Sequence, residues 1–217
     1  MGDGSLDGDP QELAILDSCK NWGIRSSKDY EFESYGPSGR MGVLNVFPFT
    51  SDLKRMGVVV KDLESGDHML LCKGSPEMIA ERCVDAPANL SKKVEEYSRR
   101  GYRVLACSYK NLYEAETQEQ HITSIEEGQN YLGLILLNNK VKDNACIVVN
   151  KLMYQLEREK LKVIMSTGDD INTGVSIAKK CGIIPNGYTI YIGDIVRGEL
   201  QWKCFDDTSP PLSVAIS

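Results

Sequence analysis

Two runs decide how this chain folds: Phe47-Pro48-Phe49-Thr50-Ser51-Asp52-Leu53-Lys54-Arg55-Met56, and Leu70-Leu71-Cys72-Lys73-Gly74-Ser75-Pro76-Glu77. In the second, His68 to Cys72 reads as a buried strand, stopped by a lysine and a glycine before a helix start. Ser75 suits the N-cap, Pro76 the first helical position and Glu77 the first turn, where a carboxylate favours the helix dipole. Gly74 allows a ligand or another strand to come close to the backbone. A strand, a cation and a helix start make a corner that could hold a phosphate. The same residues also make an ordinary strand-to-helix turn with a solvated lysine.

Working outward, Val43 to Phe47 and Gly57 to Lys61 read as strands rich in β-branched residues, with Pro48 to Met56 as the loop between them. Leu63 to Asp67 is a hairpin turn. Upstream, Asp9-Pro10-Gln11-Glu12 opens a helix, with Asp9 as N-cap, Glu12 at the capping-box position and an end at Trp22-Gly23. Ser26 to Arg40 reads as an edge strand and loop. Downstream, helices are expected at Pro76 to Cys83 and Lys92 to Arg100, the latter stopped by Gly101, then a strand over Tyr102 to Tyr109. Glu114 to Gln129 is polar, an irregular surface helix, and Tyr131 to Leu137 is a buried strand. The grammar then alternates: a helix over Asn144 to Glu159 with a Val149, Leu152, Met153, Leu156 stripe, a strand at Val163 to Ser166, a helix over Ile171 to Cys181 closed by Gly182, and a short strand at Ile183-Ile184. The alternation argues a parallel α/β unit, whereas the first part is strand- and hairpin-rich α+β.

Composition narrows the function classes. The chain has 217 residues and a net charge of −6, which disfavours a general nucleic-acid or anionic-membrane binder. Its longest apolar runs fall far short of the ~20 residues of a membrane helix, and Met1 to Ser5 has no signal-peptide character. Seven scattered cysteines without a C-x-x-C pair, and two histidines, speak against zinc and a disulfide framework and for a reducing setting. No P-loop, dinucleotide fingerprint, H-E-x-x-H or Ser/His/Asp set is present.

Local chemistry gathers in two places. Phe49 with Lys54, Lys73 and Arg103 offers a ring that can stack a base and cations that can neutralise phosphate, or else a core ring and a solvated rim. Thr167-Gly168-Asp169-Asp170 follows a strand and precedes a helix, where open α/β sheets bind ligands, or else it is a capped turn.

Taken together, "FPFTSDLKRM", Lys73-Gly74-Ser75-Pro76-Glu77, Gly101-Tyr102-Arg103-Val104-Leu105 and Thr167-Gly168-Asp169 stand in the order and at the spacing of the cytoplasmic nucleotide-binding region of P-type ATPases, which the chain resembles. "LGLILLNNKVK", "IAKKCGIIP" and Gly8-Asp9-Pro10 are similar to the type-5 subfamily, B branch. The likeness covers Gly8 to about Pro185, with Glu199 to Trp202 adding to it. The resemblance implies an α+β nucleotide-binding domain of antiparallel sheet with flanking helices over 1–138, a hinge at 139–142 and, over 143–217, part of an α/β, Rossmann-like, haloacid-dehalogenase-type phosphorylation domain.

By the same resemblance, Phe49 stacks adenine and Lys54, Lys73 and Gly74 line the pocket. Met56 packs beneath it, Arg103 reaches the phosphates, and Glu12 either meets the adenine edge or only caps its helix. Thr167, Gly168 and Asp169 belong to the phosphate and Mg²⁺ site. ATP and Mg²⁺ are the implied cofactors, and the transmembrane, actuator and remaining phosphorylation domains of a pump are the implied partners, with this part on the cytoplasmic side of a membrane. No nucleic acid, membrane insertion or metal ligand set of the chain's own is expected.

Several positions depart from the pattern. Ser51 stands where many pumps have arginine, Asp170 where asparagine is usual, Gly57 for serine and Lys142 for arginine. The D-K-T-G-T strand with the phosphorylated aspartate and the G-D-G-x-N-D loop do not occur, so the expectation is a piece of a longer cation pump, with no catalytic residue of its own, that binds nucleotide but turns nothing over. A cation, polyamine among the candidates, is the implied cargo. A lipid flippase is the rival within the class, against which Ser75-Pro76-Glu77 speaks. A non-catalytic interaction module is the rival outside it, while a free-standing phosphatase lacks its D-x-D-x-T.

Overall fold

Strand β4 (Arg55–Asp62), with its Val58-Val59-Val60 run, lies at the centre of a seven-stranded sheet in the order β1 to β7, every neighbour antiparallel. The other strands are β1 (Gly23–Ser26), β2 (Phe32–Gly36), β3 (Gly39–Thr50), β5 (His68–Gly74), β6 (Tyr102–Leu112) and β7 (Asn130–Asn138). This computed structural model describes residues 9–138, 140–158, 163–185, 187–205 and 212–213. The chain divides into two units, Met1–Asn139 with Asp169–Thr173, and Lys140–Gly168 with Gly174–Ser217.

The first unit is the antiparallel α+β fold expected, since each strand reaches its neighbour by a short turn or a helical detour. Two short helices, α2 (Pro76–Ala80) and α3 (Leu90–Arg99), fill the β5 to β6 connection and pack on β6. Beneath them lies the core: Phe47, Val59, Leu70, Cys72, Ile79, Ala106, Leu112, Ile122 and Ile125 are buried together, with Leu53 against the cluster. Ser75 caps α2 as its residue type suggested, its hydroxyl accepting from the Met78 N–H at 3.4 Å. The helix ends at Ala80, short of Cys83, because the chain there bridges to Gln129: the Gln129 N–H donates to the Arg82 carbonyl at 2.9 Å, and Val84 N–H to the Gln129 carbonyl at 2.9 Å. Gly101 has φ +87° and terminates α3 in the left-handed region.

Helix α1 (Pro10–Ser18) starts as expected, Asp9 accepting from the Gln11 N–H at 2.8 Å, but stops at Ser18 because Gly23 enters β1. The polar Ser26 to Arg40 segment holds more sheet than its composition suggested. The Pro48 to Met56 loop is shorter than expected: β3 continues to Thr50 and β4 begins at Arg55. The Glu114 to Gln129 segment forms two 3₁₀ turns, Glu114–Gln118 and Ile122–Ser124, rather than a helix; Ile122 and Ile125 are drawn into the core.

In the second unit α4 (Ala145–Arg158) and α5 (Ile171–Cys181, whose first turn falls in the first unit) form where their stripes predicted. Asn139 of the expected hinge, Glu159 at the expected end of α4 and the Leu156 side chain lie outside the described residues. The strands expected at Val163 to Ser166 and Ile183-Ile184 do not form. A parallel strand needs neighbours to complete its ladder, and no described strand flanks either segment. The sheet of this part is instead antiparallel, β10–β9–β8, from β8 (Tyr191–Val196), β9 (Glu199–Cys204) and β10 (Leu212–Ser213). Its hairpin turns at Arg197 and Gly198, both with positive φ (55° and 84°), a residue-Gly signal between apolar runs that was present in the sequence.

One polar cluster sits inside the first unit. Arg55 and Glu126, each 2% exposed, are paired across the core. Arg55 Nε donates to Glu126 Oε2 at 2.5 Å and Nη2 to Oε1, while Nη1 donates to the Leu53 carbonyl at 2.7 Å. Arg82 Nε approaches Glu126 Oε1 at 3.0 Å, off the hydrogen-bond line, and its Nη1 donates to the Met78 carbonyl at 2.9 Å. Gln129, fully buried, bonds the Glu126 carbonyl (2.7 Å) and accepts from Ser108 (2.6 Å). Burial works against an ionised Glu126, but the hydrogen bonds and charges of Arg55 and Arg82 outweigh it and hold the carboxyl below its usual range. Burial, reinforced by Glu126, pushes the Cys72 thiol up to about 12.

Two outcomes follow from this cluster. Because the folded-state pKa of Glu126 lies below its ordinary value of 4.5, its contribution is present above that pH and is lost as pH falls through the folded value. Acid titration of unfolding free energy will therefore show a loss below pH ~4.5 that flattens in Glu126→Gln, a variant that itself costs about 3 kcal/mol at neutral pH; a wild-type slope in the variant would contradict the pairing. Iodoacetamide at pH 8 will alkylate the exposed Cys19 in the native chain and Cys72 only after denaturation, as peptide mass mapping can read.

Candidate functional site

The register of the central strands sorts side chains between two faces. Arg55, Gly74 and Ala106 lie abreast on the core face, as do Gly57, Cys72 and Ser108. On the opposite face Met56, Lys73 and Cys107 stand side by side across β4, β5 and β6, all half-buried, with Val58, Leu71 and Tyr109 as the next row. On this face Glu12 of helix α1 forms an ion pair with Lys73 Nζ. Glu12, half exposed, thus meets a predicted site residue, while Asp9 caps the helix.

Phe49 reaches this face through an irregularity. Phe47 pairs with Gly57 but Thr50 pairs with Arg55, so β3 holds one residue more than β4 between these points. Regular alternation would send Phe49 to the same core face as Phe47. The bulge restarts alternation from Thr50 and puts Phe49 in register with Met56's side. Phe49 is 56% exposed, whereas Phe47 is 7% exposed. The choice left open by the sequence between a core ring and a free one falls to the free one.

The turn that follows is held tightly. Lys54, exposed, has φ +51°, a left-handed conformation costing a non-glycine residue about 1–2 kcal/mol. Four contacts fix it: Lys54 N–H to the Thr50 carbonyl (2.8 Å), Ser75 N–H to the Lys54 carbonyl (2.9 Å), Leu53 N–H to Thr50 Oγ1 (3.3 Å), and Arg55 Nη1 to the Leu53 carbonyl. Gly74 is buried and faces the core. A Cβ there would fall 2.5 Å from Arg55 Cβ and 2.6 Å from the Lys54 carbonyl, so the approach this glycine allows is that of the turn. α2 has five residues and its first N–H groups are engaged by Ser75, so Lys73 faces Glu12 rather than a phosphate-binding helix end.

Arg103 lies on the same face as Cys107, four residues along β6, or about 13 Å. It is part-exposed and contacts Asp169 at 3.4 Å. Asp170 accepts from the Asn172 N–H at 2.9 Å, the capping role that the sequence could not divide between the two aspartates. Thr167 and Gly168, both exposed, belong to the second unit, where Thr167 Cγ2 lies close to the backbone of Gly174. Among the described residues no cluster of three or more His, Cys, Asp or Glu is placed to hold a metal ion.

Sequence reasoning placed Phe49, Met56, Lys73, Lys54 and Glu12, which the first unit brings together around the β3–β4 turn. It missed Arg55 and Glu126, taking Arg55 for one of two loop cations. The signal available was weak: an arginine at the strand's first residue, where alternation with Gly57 and Val59 sends it inward.

Comparison with known proteins gives the family. A family model described as the P-type ATPase cytoplasmic domain N matches residues 2–144. The chain is 25% identical over 233 aligned residues to the probable cation-transporting ATPase 13A4 of Mus musculus, covering 96% of this chain and 19% of that protein. It is 31% identical over 209 residues to the cation-transporting ATPase catp-5 of Caenorhabditis elegans (84% and 17%) and 34% over 150 residues to the polyamine-transporting ATPase 13A3 of Mus musculus (66% and 12%). The chain thus spans less than a fifth of the length of these relatives. An antiparallel sheet carrying the Phe49 to Met56 turn, and a family match across about two thirds of its length, establish that the chain belongs to the P-type ATPases and carries their cytoplasmic domain N.

Proposed function

We propose that this chain is the nucleotide-holding part of a P-type cation-transporting ATPase, binding ATP on the sheet face of Met56, Lys73 and Cys107. One observation carries the reading: the bulge in β3 exposes Phe49 on the side of Met56 and Lys73, at the rim of a turn whose only left-handed residue is Lys54. Phe49 stacks the adenine and Met56 packs beneath it. Lys73 and Lys54 supply positive charge at the rim, and Gly74 shapes that wall by admitting the turn. Glu12 holds Lys73 before a nucleotide arrives, and can accept from an adenine amino group. Arg103, about 13 Å along the same face, stands where the phosphates of an extended nucleotide would lie. An aromatic platform, an apolar floor and cations on one side suit a nucleotide whose base is read by stacking and whose phosphates are read by charge.

In a longer pump this arrangement would position the γ-phosphate for transfer to an aspartate, a contribution of orientation rather than of acid, base or nucleophile. By motif, residues 1–138 form the nucleotide domain, 139–142 a hinge and 143–217 part of the phosphorylation domain, whose Thr167, Gly168 and Asp169 belong to the phosphate and Mg²⁺ site. Among the described residues no group of three or more His, Cys, Asp or Glu is placed to hold that ion by itself. The domain's place is the cytoplasmic side of a membrane, beside the transmembrane and actuator parts of the pump. The relative named as polyamine-transporting makes a polyamine a candidate cargo.

ATP titration followed by NMR will show saturable shifts in the full chain, with affinity reduced about tenfold in Phe49→Ala, as loss of one stacking platform predicts. Lys73→Ala will weaken it in the same direction. Unchanged affinity in both would refute the site. Lys54→Gly will keep thermal stability, because the strain it relieves offsets glycine's entropic cost of roughly 0.5–1 kcal/mol, while weakening ATP binding. Incubation with γ-labelled ATP and Mg²⁺ will leave the isolated chain unlabelled; a stable phosphoprotein would overturn the assignment of the chemistry elsewhere.

A further inference from the structure

We infer that Arg55 is a positioning residue for nucleotide binding: its guanidinium, anchored on buried Glu126, fixes the β3–β4 turn that presents Phe49 and Lys54. This rests on the nucleotide reading of that face and adds a residue that touches no nucleotide. Among the described residues Arg55 is the one side chain that connects the turn with the core's charged centre. Nε and Nη2 hold the two Glu126 oxygens and Nη1 holds the Leu53 carbonyl one residue before strained Lys54.

A left-handed lysine persists only where its surroundings over-determine it. The remaining contacts on the turn are not equivalent. The bonds to the Thr50 carbonyl and hydroxyl come from within the turn itself and would move with it. The Ser75 N–H and the Arg55 guanidinium come from structure that the core fixes, beside the backbone pairing of Arg55 with Gly74 on β5. Glu126 is in turn tied through its own carbonyl to Gln129, which accepts from Ser108 on β6, so the anchor is joined to the sheet. An arginine is required because three bonds in two directions need a rigid, planar fork. A lysine ammonium can satisfy Glu126 or the Leu53 carbonyl, but cannot hold both in that geometry.

The test uses the full chain with Arg55→Lys and Arg82→Met. Both disturb the Glu126 cluster, but only the first releases the turn. Arg55→Lys will lower ATP affinity on the order of tenfold, as a small displacement of a binding group does, and will shift the Leu53 and Lys54 amide signals. Arg82→Met will lower the thermal midpoint to a similar extent and leave affinity within about twofold. Wild-type affinity in Arg55→Lys, or equal losses in both variants, would overturn the inference. Should Arg55→Lys fail to fold, native-state hydrogen exchange of the unaltered chain decides. The Lys54 amide must open only with the buried strands, and exchange through a local opening refutes the anchor. If the unaltered chain shows no ATP-dependent shift while Lys54 is protected to that extent, the nucleotide reading fails and the turn's rigidity stands as structure alone.

Discussion

A buried arginine–glutamate pair governs the β3–β4 end of this sheet. Arg55 and Glu126 are almost without solvent, and separating either from water would be costly if their hydrogen bonds were incomplete. They are not: the guanidinium spends its donors on both carboxylate oxygens and a backbone carbonyl, and Arg82 and Gln129 enclose the remainder. Replacing such a pair with apolar residues often leaves stability unaffected, so its value lies in geometry. A hydrophobic contact would hold the turn nearby; a forked ion pair holds it at one orientation. The 3₁₀ turn at Ile122–Ser124 and the exposed β3–β4 turn, remote in sequence, are thereby fixed to each other.

Charge is arranged differently on the two faces. On the core face it is enclosed and matched. On the open face, Lys73 is matched only by Glu12 on a helix that has no fully buried residue. An exposed pair of this kind contributes little to stability and can be exchanged for a ligand at small cost. The first unit thus keeps its rigid electrostatics under the sheet and its loosely held electrostatics above it.

Much of the fold was legible because local rules and tertiary packing agree. The Val58-Val59-Val60 run, Ser75-Pro76 and Gly101 each specify one local conformation, and the sheet uses all of them. Two of the disagreements share one cause. Glu114 to Gln129 looked like surface because its composition is polar, yet Glu126 and Gln129 are buried through partners scattered over some seventy positions. Val163 to Ser166 has the composition of a strand but no described neighbour to pair with, and strand propensity does not supply hydrogen-bond partners. The β8–β9 hairpin was missed although its Arg197-Gly198 turn was in plain view.

The candidate site divides along the same line. By itself the sequence determined the family resemblance, the residue types of the site and the antiparallel order of the first part, since these depend on composition, spacing and short-range turns. It could not determine which way Phe49 points. That depends on one extra residue in β3, and a bulge is defined only against the partner strand. Nor could it show that Arg55, beside Lys54 in the chain, faces the opposite side of the sheet. Pairing register decided both, and register is a property of strands packed together on a core.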